Sequence, residues 1–460
     1  MVVGLETIVL IAILSLLSAI LYILIGILPG TDETATMAPV ALALLVAGLD
    51  PLVVLAWFMA SITAFKMADS IPVALAGIPG GVMAVPQVPD AVEAKRAGLA
   101  DVILRKGIAA SILGMFIATI TVLILSFYIR PLGDYLRTQD TLYGVTVPRW
   151  FWLLLAGLLL LALTSRNRLL ALLAIPSFAI LIQGVRMAYE KNVFISLFLG
   201  ITIGPLVIEI LEAISGLAAN KVRRGLLRVR LERVERIPLN PLNILSREEA
   251  AHVAFWSVLT SILAMVMSPV GLTILIGDLL KSLKRRAVEA AVLAYTVRDA
   301  IKNATYTGGL LIPLLVIGNP TGPMSAGPGA PFFTKLDSLG GLTPAEYLSK
   351  NYDYLTISLT ILASIFLASI ISYPILVRYS RALTLLVFRR VPAESLYGLF
   401  IAIVLLLSFY DAGVRGLFGT LIVSIVSGIL WRSGVSLGVL FMTLVAAPTI
   451  FAFLKVIPSM

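Results

Sequence analysis

The sequence predicts an all-α polytopic membrane protein, and the composition and the length of the apolar stretches are the observations that predict it. The chain has 460 residues, of which 59% are hydrophobic and 13% are charged. An ordinary soluble domain is about 45–50% apolar and about 25% charged. Apolar stretches of about 20 residues, the length that a helix needs to cross the hydrocarbon core, recur along the chain. Helices are favoured because every backbone polar group in lipid has to be satisfied internally.

The clearest apolar stretches lie in both halves of the chain. The first has no Lys or Arg before it, so we expect a retained span rather than a cleaved signal peptide. Short strands of alternating hydrophobicity, which would indicate a β-barrel, are not apparent. The stretches are Leu5–Leu28, Ile108–Ile129, Trp150–Leu163, Leu355–Leu376, Leu396–Tyr410 and Val435–Leu454.

Composition also argues against several classes of site. Cysteine is absent and His252 is the only histidine, so disulfides, iron–sulfur clusters and zinc or other metal centres are not expected. We therefore expect no bound cofactor. The net charge of +10 is explained by basic loops that set membrane topology. Nucleic acid is therefore not an expected partner, whereas the lipid bilayer is.

The most basic loop divides the chain into two halves of similar size. From Lys221 to Arg236, seven Lys or Arg residues stand against two Glu residues. Basic loops stay on the cytoplasmic side, so we predict a multi-pass protein of the plasma membrane with residues 217–248 in the cytoplasm. The predicted organisation is an N-terminal transmembrane repeat over 1–216, a basic cytoplasmic linker over 217–244 and a C-terminal transmembrane repeat over 245–460.

A Pro/Gly-rich motif occurs once in each half. Ile71–Met83 and Ile312–Met324 share Ile, Pro, Gly, Pro, Gly and Met at one constant offset. Pro29-Gly30 and Pro269-Val-Gly271 lie upstream at nearly matching distances. Pro removes a backbone donor and Gly weakens a helix, so neither motif forms one straight helix. Such interruptions at corresponding positions of two halves indicate a transporter site, and kinks or loops outside the membrane are the alternative.

Several charges fall inside the predicted membrane region. A charge at the bilayer centre costs about 2.5–3.5 kcal/mol on insertion scales. Lys66 and Asp69 can share one helix face, and so can Arg298 and Lys302, with Asp299 beside them. The functional interpretation is an anion site formed by the basic residues, with Asp69 or Asp299 handling a coupling cation. The alternative is ion pairs that hold the two halves together, or side chains that reach an interface.

At these motifs the sequence resembles the large permease subunit of tripartite tricarboxylate transporters (TctA-like). The matching segments run in the expected order over roughly residues 20–350. They are Leu28-Pro-Gly-Thr31 with Leu49-Asp-Pro51, Ser70–Gly80 continuing into Asp90 and Lys95–Ala100, Ile203–Glu209, and Asp299 with Asn303, Gly308–Pro313 and Gly318-Asn-Pro320.

The resemblance implies a secondary active transporter of small organic anions such as carboxylates, coupled to Na⁺ or H⁺. It also implies two inverted repeats, whose Pro/Gly-broken helices or re-entrant hairpins we expect to meet near mid-membrane. Family members work with a small membrane subunit and an extracytoplasmic binding protein, and a homodimer is a further expectation. Lys66-Met-Ala-Asp69, Pro269-Val-Gly271 and the pair Lys302-Asn303 depart from the family pattern, which puts citrate-like specificity in question.

The predicted site combines both breaks with the charged residues between them. Backbone N–H groups and hydroxyls would hold the anion, and Asn303 and Asn319 would add side-chain dipoles. The predicted coupling-ion residues are Asp69 and Asp299. The predicted substrate-binding residues are Gly30, Thr31, Lys66, Ser70, Gly77, Pro79, Gly80, Gly81, Arg298, Lys302, Asn303, Gly308, Gly318, Asn319, Pro320 and Gly322.

Three other functions stay open at this point. A carrier of lipid-linked phosphates would suit basic residues beside broken helices, and a channel needs no closure around a site. An intramembrane enzyme is the third, because Tyr410-Asp411 and Gly277-Asp278 loosely resemble the aspartates of membrane proteases. Their order is reversed, and Gly434–Gly438 opens an apolar span instead of a strand-to-helix turn. We therefore expect no enzyme.

Overall fold

The computed structural model describes residues 4–28, 31–78, 80–190, 193–215, 240–390 and 393–456. Nine helices within these ranges are long and apolar enough to cross a membrane. The prediction of an all-α polytopic membrane protein is confirmed. Most of the predicted linker over 217–244 lies outside the described residues, as do Gly30 and Pro79 of the predicted site.

The described part of the first half contains ten α-helices and a 3₁₀ segment over Val82–Gln87. The helices are α1 (Leu5–Ile27), α2 (Glu33–Val46), α3 (Pro51–Ala68), α4 (Ser70–Ala76), α5 (Val88–Arg96), α6 (Ala100–Tyr128), α7 (Arg130–Arg137), α8 (Trp150–Thr164), α9 (Arg168–Tyr189) and α10 (Phe194–Ile214).

The described part of the second half contains eight more α-helices and a π-helical turn over Pro313–Ile317. The helices are α11 (Arg247–Leu263), α12 (Pro269–Ser282), α13 (Ala287–Ile312), α14 (Pro323–Ala326), α15 (Pro344–Asn351), α16 (Tyr354–Arg390), α17 (Ala393–Arg432) and α18 (Leu437–Val456). Short 3₁₀ turns lie at Pro241–Asn243, Ala330–Phe333 and Asp337–Leu339.

Side chains at the helix starts explain several of these boundaries. Asp32 accepts hydrogen bonds from the first backbone amides of α2, and Asp50 does the same for α3. Ser246 and Glu249 form a capping box at α11, and Ser268 caps α12. Each cap satisfies donors that the helix itself leaves unpaired.

One β-hairpin interrupts the helices in the described part of the chain. Strand β1 (Gln139–Leu142) pairs antiparallel with β2 (Val145–Pro148), and Gln139 lies opposite Pro148. Tyr143 and Gly144 have φ values of 50° and 78°. A type I′ turn, which is common in two-residue hairpin loops, requires a positive φ at both central residues. The hairpin follows α6 and α7 and precedes α8, so it stands at one end of the helix bundle.

Helices α3 and α13 form the centre of the fold. Every residue of α3 is buried, and so is every residue of α13 from Ala290 onward. Each central helix packs against helices of both halves. Helix α3 contacts α1 of the first half and α16 of the second, and α13 contacts α11 of the second half and α6 of the first. The outward faces of α1, α9 and α17 are apolar and exposed, as expected of lipid-facing surface. The inverted relation of the two halves stays a prediction.

Two helical segments reverse direction within the fold. Lys284, just after α12, pairs with Glu248 at the start of α11 at 2.7 Å, so the α11–α12 hairpin begins and ends on one face.

In α17, Ala412 and Gly413 leave helical geometry. The Thr420 hydroxyl then donates to the Ser408 hydroxyl at 2.7 Å, although twelve residues of straight helix would separate them by about 18 Å.

Candidate transport site

The two predicted breaks have the same backbone conformation. Gly77 has φ 71° and ψ 22°, and Gly318 has φ 73° and ψ 7°. Both end a helical segment in the left-handed region, where glycine carries no steric penalty. Four residues later, Gly81 has φ −137° and ψ 175°, and Gly322 has φ −141° and ψ 175°. The repeat found in the sequence therefore corresponds to a repeated local structure.

A basic side chain caps the freed carbonyls at each break. The Lys95 ammonium donates to the Leu75 carbonyl at 2.7 Å. Arg137 of α7 donates to the carbonyls of Val316 at 3.0 Å and Ile317 at 2.9 Å. Leu75 and Val316 are related by the same offset that joins Ile71 to Ile312. These carbonyls are therefore occupied by cationic side chains of the protein itself.

Beside the breaks, five charged side chains form one buried network, here called the central network: Glu33, Lys66, Asp69, Asp299 and Lys302. Lys66 contacts Glu33 at 2.6 Å and Asp69 at 3.8 Å. Lys302 contacts Asp69 at 2.5 Å and Asp299 at 2.6 Å. No member has a side chain more than 4% exposed. The network thus joins α2 and α3 of the first half to α13 of the second.

The hydroxyl of Ser70 belongs to the same cluster. It donates to Asp299 at 2.6 Å and accepts from the Lys302 ammonium at 3.0 Å. The Tyr295 hydroxyl donates to the Ser70 carbonyl at 3.0 Å. Lys66 and Lys302, which we predicted as anion-binding residues, are thus paired with carboxylates. This pairing corresponds to the alternative given above, in which ion pairs hold the two halves together.

Arg298 lies in a second buried cluster. Its guanidinium pairs with Asp90 of α5 and with Asp278 of α12, the latter at 2.6 Å. It also donates to the carbonyls of Thr273 at 3.1 Å and Pro86 at 2.7 Å. Burial raises the pKa of the Asp90 carboxyl, and the positive charges of Arg298 and Lys281 oppose that rise. Arg298 therefore binds the first half to α12 and α13.

A cavity of about 950 Å³ lies between the two halves. Its wall includes the start of α2, the start of α12 and the residues that follow each break, among them Met83 and Met324. The loop between α8 and α9 and the start of α18 complete the wall. The polar or charged lining residues are Asp32, Glu33, Thr34, Thr164, Ser165, Arg166, Arg168, Ser268, Asp278, Arg432 and Ser436.

Three arginines lie at one end of this cavity, where Arg166, Arg168 and Arg432 are exposed. Arg432 pairs with Glu212 near the end of α10 at 2.9 Å. In the loop between α8 and α9, the backbone N–H of Asn167 donates a hydrogen bond to the Gly434 carbonyl, in the turn after α17, at 3.2 Å. Since the linker follows α10 directly, the arginines lie on the face that the sequence predicts to be cytoplasmic. We call this end of the cavity the arginine mouth.

None of the predicted site residues that the structure describes lines the cavity. The Thr31 hydroxyl donates to the carbonyls of Leu28 and Ile25. Asn303 donates to the Ser111 carbonyl at 3.1 Å. Asn319 is half-buried, and Pro320 is buried. The roles assigned to these residues stay predictions.

Three of the predicted glycines allow the backbone of another segment to come close. A Cβ added at Gly308 would lie 1.6 Å from the Ser261 carbonyl oxygen, and one at Gly80 would lie 2.3 Å from that of Asp69. A Cβ at Gly322 would lie 2.5 Å from the Met265 carbonyl oxygen. These glycines set how closely the broken segments pack.

Sequence reasoning missed most of the residues that line the cavity. Asp32 and Glu33 are absent from the predicted site residues, yet both line the cavity and Asp32 caps α2. The recurrence of Met83 and Met324 in the two motifs was the available signal for the wall beside the breaks. The arginine mouth gave no local signal, because Lys and Arg also occur in loops that only set topology.

Comparison with known proteins supplies the family. The model of the tripartite tricarboxylate transporter TctA family matches residues 12–442. The chain matches no curated protein and no solved structure. The family match covers nearly the whole chain, including both breaks, the central network and every residue named in the cavity wall. The chain therefore belongs to the tripartite tricarboxylate transporter TctA family.

Proposed function

We propose that this chain is the transporting membrane subunit of a secondary active carrier for small carboxylates. The cavity between the halves is the observation that carries the proposal. Small-molecule sites occupy about 300–1,000 Å³, and this cavity measures about 950 Å³. Its wall takes residues from both halves, so a movement of one half against the other would close one end and open the other, as alternating access requires.

The arginine mouth fits an anionic substrate. Arg guanidinium groups bind carboxylates with two parallel hydrogen bonds, and a cleft lined by one sign of charge raises the local concentration of the opposite ion. Arg166 and Arg168 are exposed at this end of the cavity. A di- or tricarboxylate leaving or entering on this face would meet these groups first.

Coupling is proposed to run through the carboxylates of the central network. Asp69 and Asp299 are buried beside the breaks and belong to both halves of the chain. Such ionisable residues inside a membrane protein mark ion and proton pathways. The proposed coupling ion is Na⁺ or H⁺, and no other cofactor is proposed.

The proposed partners follow from the family. The family supplies the large component of tripartite systems, so we propose a small membrane subunit and an extracytoplasmic substrate-binding protein as partners. The exposed β1–β2 hairpin stands at the opposite end of α8 from the arginine mouth, and it offers a surface to a partner on that side. A homodimer is proposed as well.

Uptake by proteoliposomes that contain the chain with its small membrane subunit, supplied with the binding protein, tests the function. We expect accumulation of a labelled di- or tricarboxylate that depends on an inward Na⁺ or H⁺ gradient. Thermal shifts with the same carboxylates, with and without Na⁺, should identify the ligands. Arg166→Gln should lower uptake several-fold, whereas Arg285→Gln, an exposed arginine outside the cavity wall, should not. Uptake without any gradient, or selective binding of phosphate, would contradict the proposal.

A further inference from the structure

Glu33 connects the cavity to the central network. It is the first residue of α2, lines the cavity and is 3% exposed. Its Oε1 accepts from the Lys66 ammonium at 2.6 Å, while Oε2 is buried and has no hydrogen-bond partner. A buried carboxylate oxygen without a partner is costly, so a bound proton or ion at Oε2 would remove a penalty.

The central network carries one negative charge in excess. Glu33, Asp69 and Asp299 supply three carboxylates, whereas Lys66 and Lys302 supply two ammonium groups. An uncompensated charge in a buried site is unfavourable by several kcal/mol, as an order of magnitude, so such groups usually take up an ion or become neutral. One bound proton balances the network.

The other two carboxylates are poorer candidates for that proton. Asp69 contacts both ammonium groups, Lys302 at 2.5 Å and Lys66 at 3.8 Å. Asp299 accepts from Lys302 and from the Ser70 hydroxyl, and its Oδ2 is closed in by α6, because a Cβ built on Gly107 would lie 2.6 Å from it. Asp69 Oδ2 and Asp299 Oδ2 also lack a hydrogen-bond partner, but neither aspartate lines the cavity, so protons from the cavity reach Glu33 first.

Several ionisable groups lie around Glu33. Burial raises the pKa of the Glu33 carboxyl, the positive charge of Lys66 of α3 opposes that rise, and Asp32 at the start of α2 adds to it. The Lys66 ammonium also lies 5.5 Å from the ring centre of Tyr306 of α13. The Tyr22 hydroxyl of α1 donates to the Thr36 carbonyl in α2. The other charged residues with described side chains on the helices packed against α2 are Glu209, Glu212, Asp411, Arg415 and Arg432.

We propose that Glu33 is the residue that takes up and releases the coupling proton, with Oε2 as the atom that binds it. In the loaded form the proton sits on Oε2 and Oε1 keeps its contact with Lys66. In the unloaded form the proton has returned to cavity water and the network carries its excess charge. A proton fits better than Na⁺, because the free oxygen lies on a carboxylate already held by an ammonium group. This inference rests on the proposed function for its role in transport.

Infrared spectroscopy of the purified full-length chain tests the protonation without any transport assay. We expect a carbonyl stretching band of a protonated carboxylic acid that disappears as pH rises. Glu33→Gln should remove that band. Labelling the glutamate carboxyls with ¹³C should shift the band, whereas labelling the aspartate carboxyls should leave it in place, because the proton is on Glu33 and not on Asp69 or Asp299. A band that survives Glu33→Gln or that shifts with labelled aspartate, or a wild-type chain without a titrating band, overturns the inference.

Gradient-driven uptake separates this inference from the proposed function. In proteoliposomes, Glu33→Gln should lose the dependence of carboxylate uptake on the pH gradient. Should the wild-type chain transport no carboxylate, the proposed function fails, while the infrared result still decides whether Glu33 binds the proton. Should Glu33→Gln keep a wild-type pH dependence, the coupling role of Glu33 is excluded and the proposed function stands.

Discussion

At the scale of single residues, several buried charges are paired with residues from the other half of the chain. Lys302 of α13 contacts Asp69, which directly follows α3. The predicted proximity of Lys66 and Asp69 is confirmed by their contact at 3.8 Å. Arg298 and Lys302 were predicted to share a face, and they enter separate clusters, because the carboxylates of α5 and α12 pair with Arg298 and not with Lys302.

Replacing Lys302 by Met should strongly destabilise the protein. The change leaves Asp69 and Asp299 buried without their shared cation, and breaking a buried pair costs about 3–5 kcal/mol. We expect a clearly lower apparent melting temperature of Lys302→Met in detergent. Adding Asp299→Asn should recover part of the loss. Lys335→Met, at an exposed lysine, should melt like the wild type, and equal melting of both single variants would show that the pair contributes nothing.

At the scale of elements, the Pro/Gly motifs produce the same break in both halves. The constant offset predicted corresponding interruptions, and the matching dihedral angles of Gly77 and Gly318 agree with it. The sequence did not predict which residues cap the carbonyls at these breaks. Lys95 comes from α5 and Arg137 from α7, so one kind of contact is made by residues at unrelated positions.

The two breaks should differ in their tolerance of an added methyl group. A Cβ at Gly322 would lie 2.5 Å from the Met265 carbonyl oxygen, whereas one at Gly81 would lie 3.3 Å from that of Thr31. Both glycines have extended backbone, so only packing distinguishes them. Gly322→Ala should lower the apparent melting temperature and Gly81→Ala should lower it less, since overpacking costs about 1–3 kcal/mol. Equal effects in a thermal melt would argue against this packing.

At the scale of the whole molecule, the arginine mouth and the β1–β2 hairpin mark opposite faces. The arginine mouth lies where α10 ends, and the hairpin lies at the opposite end of α8. If the linker is cytoplasmic, as its basic residues predict, the arginine mouth faces the cytoplasm.

Cysteine labelling should reveal this orientation. The chain has no native cysteine, so a single one at Tyr143 of the hairpin or at Ser433 beside the mouth is uniquely reactive. In intact cells a membrane-impermeant maleimide should label the cysteine at Tyr143 and leave the cysteine at Ser433 unlabelled. Both should react after permeabilisation, which serves as the control. The reverse pattern in intact cells would show that the basic linker is extracytoplasmic.

The sequence by itself determined the class of the protein and the places where its helices break. Hydropathy, Pro and Gly act within a few residues, because a span length or a missing backbone donor is a local property. The spans around Leu5–Ile27 and Leu437–Val456 could therefore be predicted, and so could the interruptions at Gly77 and Gly318.

Only the tertiary structure decided which charges neutralise one another and what lines the cavity. Lys302 and Asp69 are 233 positions apart, and their contact depends on how α13 packs against the first half. The cavity likewise gathers Glu33, Met324 and Arg432 from distant helices. One hydrophobic pattern allows a helix to pack against many other helices. Close packing of specific surfaces selects one arrangement, as where Gly114 of α6 lies against Ala300 of α13.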